Sequence, residues 1–446
     1  MRSPHQLRAS RKRCFLVTMA GRIGLVAVLV ASLATVKSSS AFGPAQISAA
    51  AIVARNVGDA VRRLAADDLE GRGSGSTGAG LAEELLIDEL EQIGPGLDVS
   101  RAGRNAYRQD FDVVRTNLVA VVPGGARANE YVIVGAHYDH FAPFGCTGLG
   151  DSICNGATDD AAGVAVVLAI GRALRALPTP PARSVVLALW DGEELGLLGS
   201  KYFVAHPLVP LADVVANVNF DIQGANLAPS VRDVSFAIGA ESGGELLTAL
   251  TQQAIDAVGL GTKPLSVTFG QGRSDYQPFW GKHVPVVFFT DATNACYHTS
   301  ADEIDIVDFA KLSRQSEIGF RLVVALSESE PRPNYVSLAS LDTYEDLVVL
   351  SEFLTRALAD LDVVDPAYQG QLLSLEQEAR ARVAAGPDGF GPTDALTIAQ
   401  DALTITTRGI PCDPMLLPEP DTRGAASIAI LALGAAIARC RRPWGR

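Results

Sequence analysis

Five short segments of the chain set His, Asp and Glu at or just beyond apolar runs. They are HYD at 137–139, TDDAAG at 158–163, DGEELG at 191–196, NFD at 219–221 and YHTSAD at 297–302. Between them they supply two imidazoles, three carboxylates able to hold a metal, and a spare carboxylate beside one of these. Metal-assisted hydrolysis at neutral pH requires such a set, because a cation polarises a carbonyl while a nearby base moves protons. Singly, none of the segments decides. A His after a strand is commonly a core hydrogen-bonding residue, Asp159-Asp160 can be a pair opening a helix, and Tyr297 beside His298 can be plain packing surface. Glu193-Glu194 reads differently from a solvated face. It lies between a buried-type strand and an apolar helix, where desolvating two carboxylates is costly without a partner cation. Asp221 follows a strongly apolar strand, and Asp139 can orient the His137 imidazole from behind.

The elements that must position these residues read as α/β. Short, nearly continuous apolar runs occur at 117–122, 131–136, 185–190, 214–220, 234–238 and 284–290. Such runs mark strands of a mainly parallel sheet buried on both faces. Helical stretches at 46–68, 79–93, Asp160 to Leu177 and 195–206 surround or alternate with them, predicting one domain with helices on both faces of the sheet. His137, Glu193, Glu194, Asp221 and His298 all fall beyond the carboxyl ends of strands, where open α/β sheets hold their ligand crevice. Asp159 joins them from the loop that opens the following helix. Further on, 342–361 and 367–385 read as helices, followed by the Gly/Pro-rich break AAGPDGFGPTD.

Composition speaks against one broad class. The 446 residues carry a formal charge of −13, which argues against nucleic-acid binding, because phosphate contact needs a basic face. A hydrophobic content of 48% is ample for a large core. The first residues are basic, then apolar from Ile23 to Val36, then small-residue-rich up to Ala41, the pattern of a cleaved secretory signal. At the far end Pro418-Glu419-Pro420 precedes an apolar run, Ala425 to Ala438, and then Arg439, Arg441 and Arg442. This end resembles the PEP-CTERM sorting tag of Gram-negative bacteria, which is read by an exosortase; the alternative is a plain membrane tail. Each apolar run has 14 residues, short of the roughly 20 that span a bilayer. The expectation is an exported protein, processed by signal peptidase and placed in the periplasm, at the cell surface or outside, with transient membrane contact through its tail. Cys146 and Cys154 flank a Gly-rich loop and can bridge in an oxidising compartment. For Cys296 and Cys412, pairing and free thiols both stand open.

Taken together, and in this order, the five segments resemble the co-catalytic dizinc aminopeptidases, including the secreted bacterial leucyl enzymes. The resemblance runs from about Leu64 to Glu330 and takes in LAADDLEGRGSGSTG upstream and GRSDYQPFW at 272–280. It implies that Asp159, four residues before Gly163, bridges two Zn²⁺ ions. His137 and Asp221 would complete one metal, and Glu194 and His298 the other. It further implies a cis peptide after Asp159, a hydroxide shared by the metals as nucleophile, and Glu193 as general base and acid. Tyr297 and Arg273 match positions that hold the substrate or the tetrahedral intermediate, and Co²⁺ or Mn²⁺ can replace zinc in such ligand sets. Two departures stand out: Cys154 sits where the family often has an aromatic residue, and Ala301 leaves Cys296 without a nearby disulfide partner.

The resulting expectation is a signal peptide at 1–41 and a zinc exopeptidase domain at 42–330. A helical extension or spacer follows at 331–415, and a sorting or membrane tail at 416–446. The function expected is two-zinc hydrolysis of peptides from their N-termini. The alternatives are a glutaminyl cyclase-like enzyme, which uses one zinc on the same fold, a zinc carboxypeptidase, or a binding domain without activity.

Overall fold

The computed structural model describes residues 57–413, apart from 144, 147–150, 338–342 and 392. The signal segment and the tail, with Cys14 and Cys440, lie outside the described residues, as does the helical expectation for 46–56. Among the described residues no helix is long and apolar enough to cross a membrane.

Eight strands make one sheet: β1 (Arg108–Asp110), β2 (Thr116–Val122), β3 (Arg127–His137), β4 (Arg183–Trp190), β5 (Val214–Phe220), β6 (Val234–Ile238), β7 (Gly261–Leu265) and β8 (Val286–Thr290). Their spatial order is β1-β2-β4-β3-β5-β8-β6-β7. Six of them come from the apolar runs. The other two, β1 and β7, are polar edge strands, and β7 carries Pro264, which an edge position tolerates. The neighbours β4, β3, β5 and β8 run parallel, as do β6 and β7. Antiparallel pairs join β1 to β2, β2 to β4 and β6 to β8. The four central parallel strands therefore end on the same side.

Nine helices are needed for the account. They are α1 (Thr77–Glu91), α2 (Ala162–Arg175), α3 (Leu198–Ala205), α4 (Gly244–Val258), α5 (Tyr276–Trp280), α6 (Phe309–Glu328), α7 (Tyr344–Ala357), α8 (Pro366–Ala385) and α9 (Asp394–Arg408). The Ala/Val/Leu-rich α2 is buried almost all round, as an apolar helix must be. Both α2 and α6 lie against one face of the sheet. At Gly319 of α6 the approach is so close that a Cβ would stand 2.5 Å from Phe220 and 3.0 Å from Ile170. On the other face Ile133, Val186 and Trp190 share a core with Phe203 of α3 and Phe279 of α5. Trp190 meets Phe203 edge-on at 5.2 Å.

That second core continues into the C-terminal helices. Thr343 and Asp346 form a reciprocal cap at the start of α7, and Asp365 caps α8 ahead of Pro366. Leu350, Phe353, Leu375, Ile398 and Ile405 share one buried cluster with Phe236 and Phe288 of the sheet. Residues 344–408 are thus three packed helices resting on the sheet.

Both disulfides left open by the sequence are present: Cys146–Cys154 and Cys296–Cys412. The partner of Cys296 stands 116 residues further on in the chain, far outside the stretch around Ala301.

Candidate metal centre

The strand ends gather the chemistry. His137 is the last residue of β3, Glu193 and Glu194 follow β4, Asp221 directly follows β5, and His298 lies on the segment after β8. From the loop ahead of α2, Asp159 reaches the middle of the group. The peptide between Asp159 and Asp160 is cis. A Cβ at Gly163 would fall 2.2 Å from Asp160 Oδ1. Glycine there lets the helix start while Asp160 accepts the Gly163 N–H at 3.0 Å.

Asp159 faces both ways. Its Oδ1 lies 3.2 Å from His137 Nε2, and its Oδ2 lies 3.2 Å from His298 Nε2. Asp221 Oδ1 is 3.5 Å from His137 Nε2, and Glu194 Oε2 is 3.2 Å from His298 Nε2. Two neighbouring donor sets result, His137/Asp159/Asp221 and His298/Asp159/Glu194, sharing one carboxylate. His140 adds to the second set. Its Nδ1 is 2.7 Å from Glu194 Oε1, and it groups with Asp159 and Glu194 within 4.8 Å.

The electrostatics call for a cation. Asp159 and Asp221 are 3% and 6% exposed. Among the described residues their ion pairs, and those of Glu194, are to imidazoles alone. Burying three carboxylates is costly without compensating positive charge. Burial also opposes charge on Asp159, but His137 and His298 outweigh it and hold this carboxyl well below the usual range. At His298 burial likewise works against the charge, while Asp159 and Glu194 raise the imidazole to about 10. Two imidazoles and three carboxylates suit zinc, and also cobalt or manganese.

Glu193, the spare carboxylate, lines the adjoining cleft with Asp159 and Asp221. Burial pushes it well above the usual carboxylate range, against the pull of His137. Tyr297 and Arg273 line the same cleft, and the Tyr297 ring stacks on His298 at 3.7 Å. Burial and then the surrounding carboxylates push the Tyr297 hydroxyl well above its ordinary value, so it stays protonated.

Asp139 orients the His137 ring through its backbone carbonyl, 3.1 Å from Nδ1, while its carboxylate Oδ1 stands 3.7 Å from the same nitrogen. The carboxylate accepts the backbone N–H groups of Glu193, at 3.0 Å, and Glu194, at 3.4 Å. One residue thus fixes the first metal-side imidazole and the turn bearing the two glutamates.

Three positioning residues escaped the sequence reading. Asp302 accepts from the Thr158 N–H at 2.9 Å, the Thr158 hydroxyl at 2.8 Å and the Asp159 N–H at 3.1 Å. Arg72, wholly buried, donates to the backbone carbonyls of Leu64, Tyr138, Asn155 and Gly156. His140 is the third. Asp302 and His140 adjoin recognised motifs, YHTSAD and HYD, whereas nothing around Arg72 in sequence indicates which carbonyls it will find.

The comparisons with known proteins agree with this geometry. Residues 117–323 match the model of peptidase family M28. Leupeptin-inactivating enzyme 1 of Streptomyces exfoliatus is 28% identical over 243 residues, 49% of this chain and 50% of that protein. Aminopeptidase YwaD of Bacillus subtilis is 25% identical over 245 residues, 52% of this chain and 50% of that one. The chain therefore spans half the length of these two relatives. The LapA aminopeptidase structure from Legionella pneumophila covers 64% of this chain and 74% of its own, at 19% identity and a TM-score of 0.51. A glutaminyl cyclase of Bacteroides thetaiotaomicron covers 61% of this chain and 97% of its own, at 16% identity and a TM-score of 0.50. These two likenesses show the fold. The M28 match spans the segment that carries all five metal-donor residues.

Proposed function

We propose that the protein is a two-zinc exopeptidase that removes residues from the N-termini of peptides, with a leucyl-type preference for apolar ones. The observation that carries this reading is the bifacial Asp159, whose two carboxylate oxygens each meet a different imidazole at 3.2 Å. His137, Asp159 and Asp221 would hold one ion, and Glu194, Asp159 and His298 the other. Zinc bound there supplies a polarised carbonyl and a water acidic enough to react at neutral pH. Glu193 takes the proton of the attacking water and delivers it to the leaving amine. The protonated Tyr297 hydroxyl donates to the carbonyl oxygen as charge develops on it. Arg273, on the exposed rim of the cleft, contacts the substrate. Asp139 keeps the Glu193–Glu194 turn in register with His137.

Purified protein should cleave aminoacyl amides and free-amine peptides, leave N-blocked peptides intact, lose activity to chelator and carry two zinc ions per chain. One zinc and loss of ammonia from N-terminal Gln would instead assign the cyclase chemistry known from the same fold. Release of C-terminal residues would assign a carboxypeptidase.

Export belongs to the same reading. The basic-then-apolar start and the Pro418-Glu419-Pro420 tail support signal-peptidase cleavage, exosortase recognition and delivery beyond the inner membrane.

A further inference from the structure

A cleft adjoins the metal centre. At one end stand Asp159, Glu193 and Asp221. The sheet side is apolar, with Ile238, Leu265, Phe269 and Phe288. The facing wall comes from elsewhere in the chain: Leu350 and Phe353 of α7, and Ala399, Ala402, Leu403 and Thr406 of α9. All six lie beyond residue 323, where the M28 match ends. None carries a charge, and the Thr406 hydroxyl is already bonded to the Thr293 carbonyl at 3.2 Å and the Leu403 carbonyl at 3.0 Å. Apart from Thr406, the wall is made of apolar side chains.

This wall is fastened to the segments that bear the site. Cys412, just past α9, is disulfide-bonded to Cys296, which immediately precedes Tyr297 and His298. The bond from Thr406 to Thr293 ties α9 to the same segment. At the head of α7, the Asp346 carboxylate accepts the Ser266 N–H at 2.9 Å and the Ser266 hydroxyl at 2.6 Å, holding the stretch that leads to Phe269. The arrangement is a fixed boundary of the cleft, anchored at both ends.

We propose that the C-terminal helical module sets which N-terminal side chain the enzyme accepts, with Ala399, Leu403 and Phe353 limiting how deep an apolar group can reach. The inference rests on the exopeptidase reading and assigns its selectivity to residues outside the M28 segment. A bulky apolar side chain would lie between Phe288 and α9 while its ammonium faces the carboxylates at the polar end. Ala399→Phe should shorten this space and Leu403→Ala should lengthen it.

Two measurements test it. With zinc-loaded protein, Ala399→Phe should lower kcat/KM for leucine p-nitroanilide by roughly tenfold or more relative to alanine p-nitroanilide. Leu403→Ala should raise the phenylalanine-to-leucine ratio. Equal changes for all three substrates in both variants would overturn the proposal. The second measurement needs no turnover: calorimetric binding of straight-chain primary amines from propyl to hexyl. Affinity should rise about fourfold per methylene in the unaltered protein, stop rising at a shorter chain in Ala399→Phe, and rise further in Leu403→Ala. The same chain-length dependence in all three proteins would overturn the wall assignment. Failure of the unaltered protein to cleave any aminoacyl anilide would overturn the peptidase reading, while the amine series would still decide whether α7 and α9 bound the cleft. Because Leu403 is only half-buried, Leu403→Ala keeps the test open if Ala399→Phe does not fold.

Discussion

At the scale of single residues, the site depends on groups doing two jobs each. Asp159 serves two donor sets with one carboxylate. Asp139 uses its carbonyl for His137 and its carboxylate for the Glu193–Glu194 turn. In Asp139→Asn one acceptor oxygen becomes an N–H group facing backbone N–H groups, so the turn should shift while the carbonyl contact to His137 stays. The expected result is a loss of about 10- to 100-fold in activity or metal affinity, with the fold intact by circular dichroism. Glu193→Gln should keep its metal and lose about 10²- to 10⁴-fold in turnover, since only proton transfer is removed. Asp159→Ala should lose metal as well, because both donor sets lose a member. Metal analysis beside kinetics separates the two, and substantial turnover in Glu193→Gln would place the base elsewhere.

At the scale of elements, four adjacent parallel strands aim their carboxyl ends at one crevice, and long-range ties hold the loops beyond them. Arg72 joins the segment after Leu64 to the HYD strand end and to the loop before Asp159. Burial lowers its guanidinium to about 10, so it stays charged at neutral pH and binds carbonyls from three segments. Arg72→Met strands several buried acceptors and should cost about 3 kcal/mol or more in urea unfolding. A cost under about 1 kcal/mol would show that these loops hold themselves. The Cys296–Cys412 bond closes a long loop over the C-terminal module. Replacing both cysteines by Ser should lower stability by about 2–4 kcal/mol and increase proteolysis between α8 and α9, read by timed digestion and mass mapping.

At the scale of the whole molecule, the proposed centre would couple metal to folding. Buried carboxylates that repel one another would be relieved by cations bound in the native state alone. Zinc at about 100 times its dissociation constant should therefore stabilise the fold by about 2.7 kcal/mol per site, and chelation should lower Tm by a corresponding amount. An unchanged Tm would mean that the centre holds no ion tightly. For the chain ends, intact mass of protein recovered from cells and medium should show loss of residues up to about Ala41 and cleavage close to Pro418-Glu419-Pro420. A mature species still carrying Arg439 to Arg446 would leave a simple membrane tail.

Much of the site was legible in the sequence, and the reason is local. Parallel strands buried on both faces are apolar throughout, so the first polar residues after β3, β4 and β5 mark the crevice wherever the strands lie in the sheet. The ends of β2, β5 and β6 likewise follow from composition within a few residues. What no local pattern could encode is which distant segments meet. The strand order, the polar edge strands β1 and β7, the carbonyls found by Arg72, the reach of His140 to Glu194 and the pairing of Cys296 with Cys412 arise from contacts across tens to hundreds of residues. The clearest case is residues 331–415, which read in sequence as an extension or spacer of unreadable role. The stretches 342–361 and 367–385 read as helices and correspond to α7 and α8, whereas α9 falls in no helical reading. Only packing on the sheet decides that residues of α7 and α9 line a cleft with Phe269 and Phe288, because the space between them is a property of both surfaces at once.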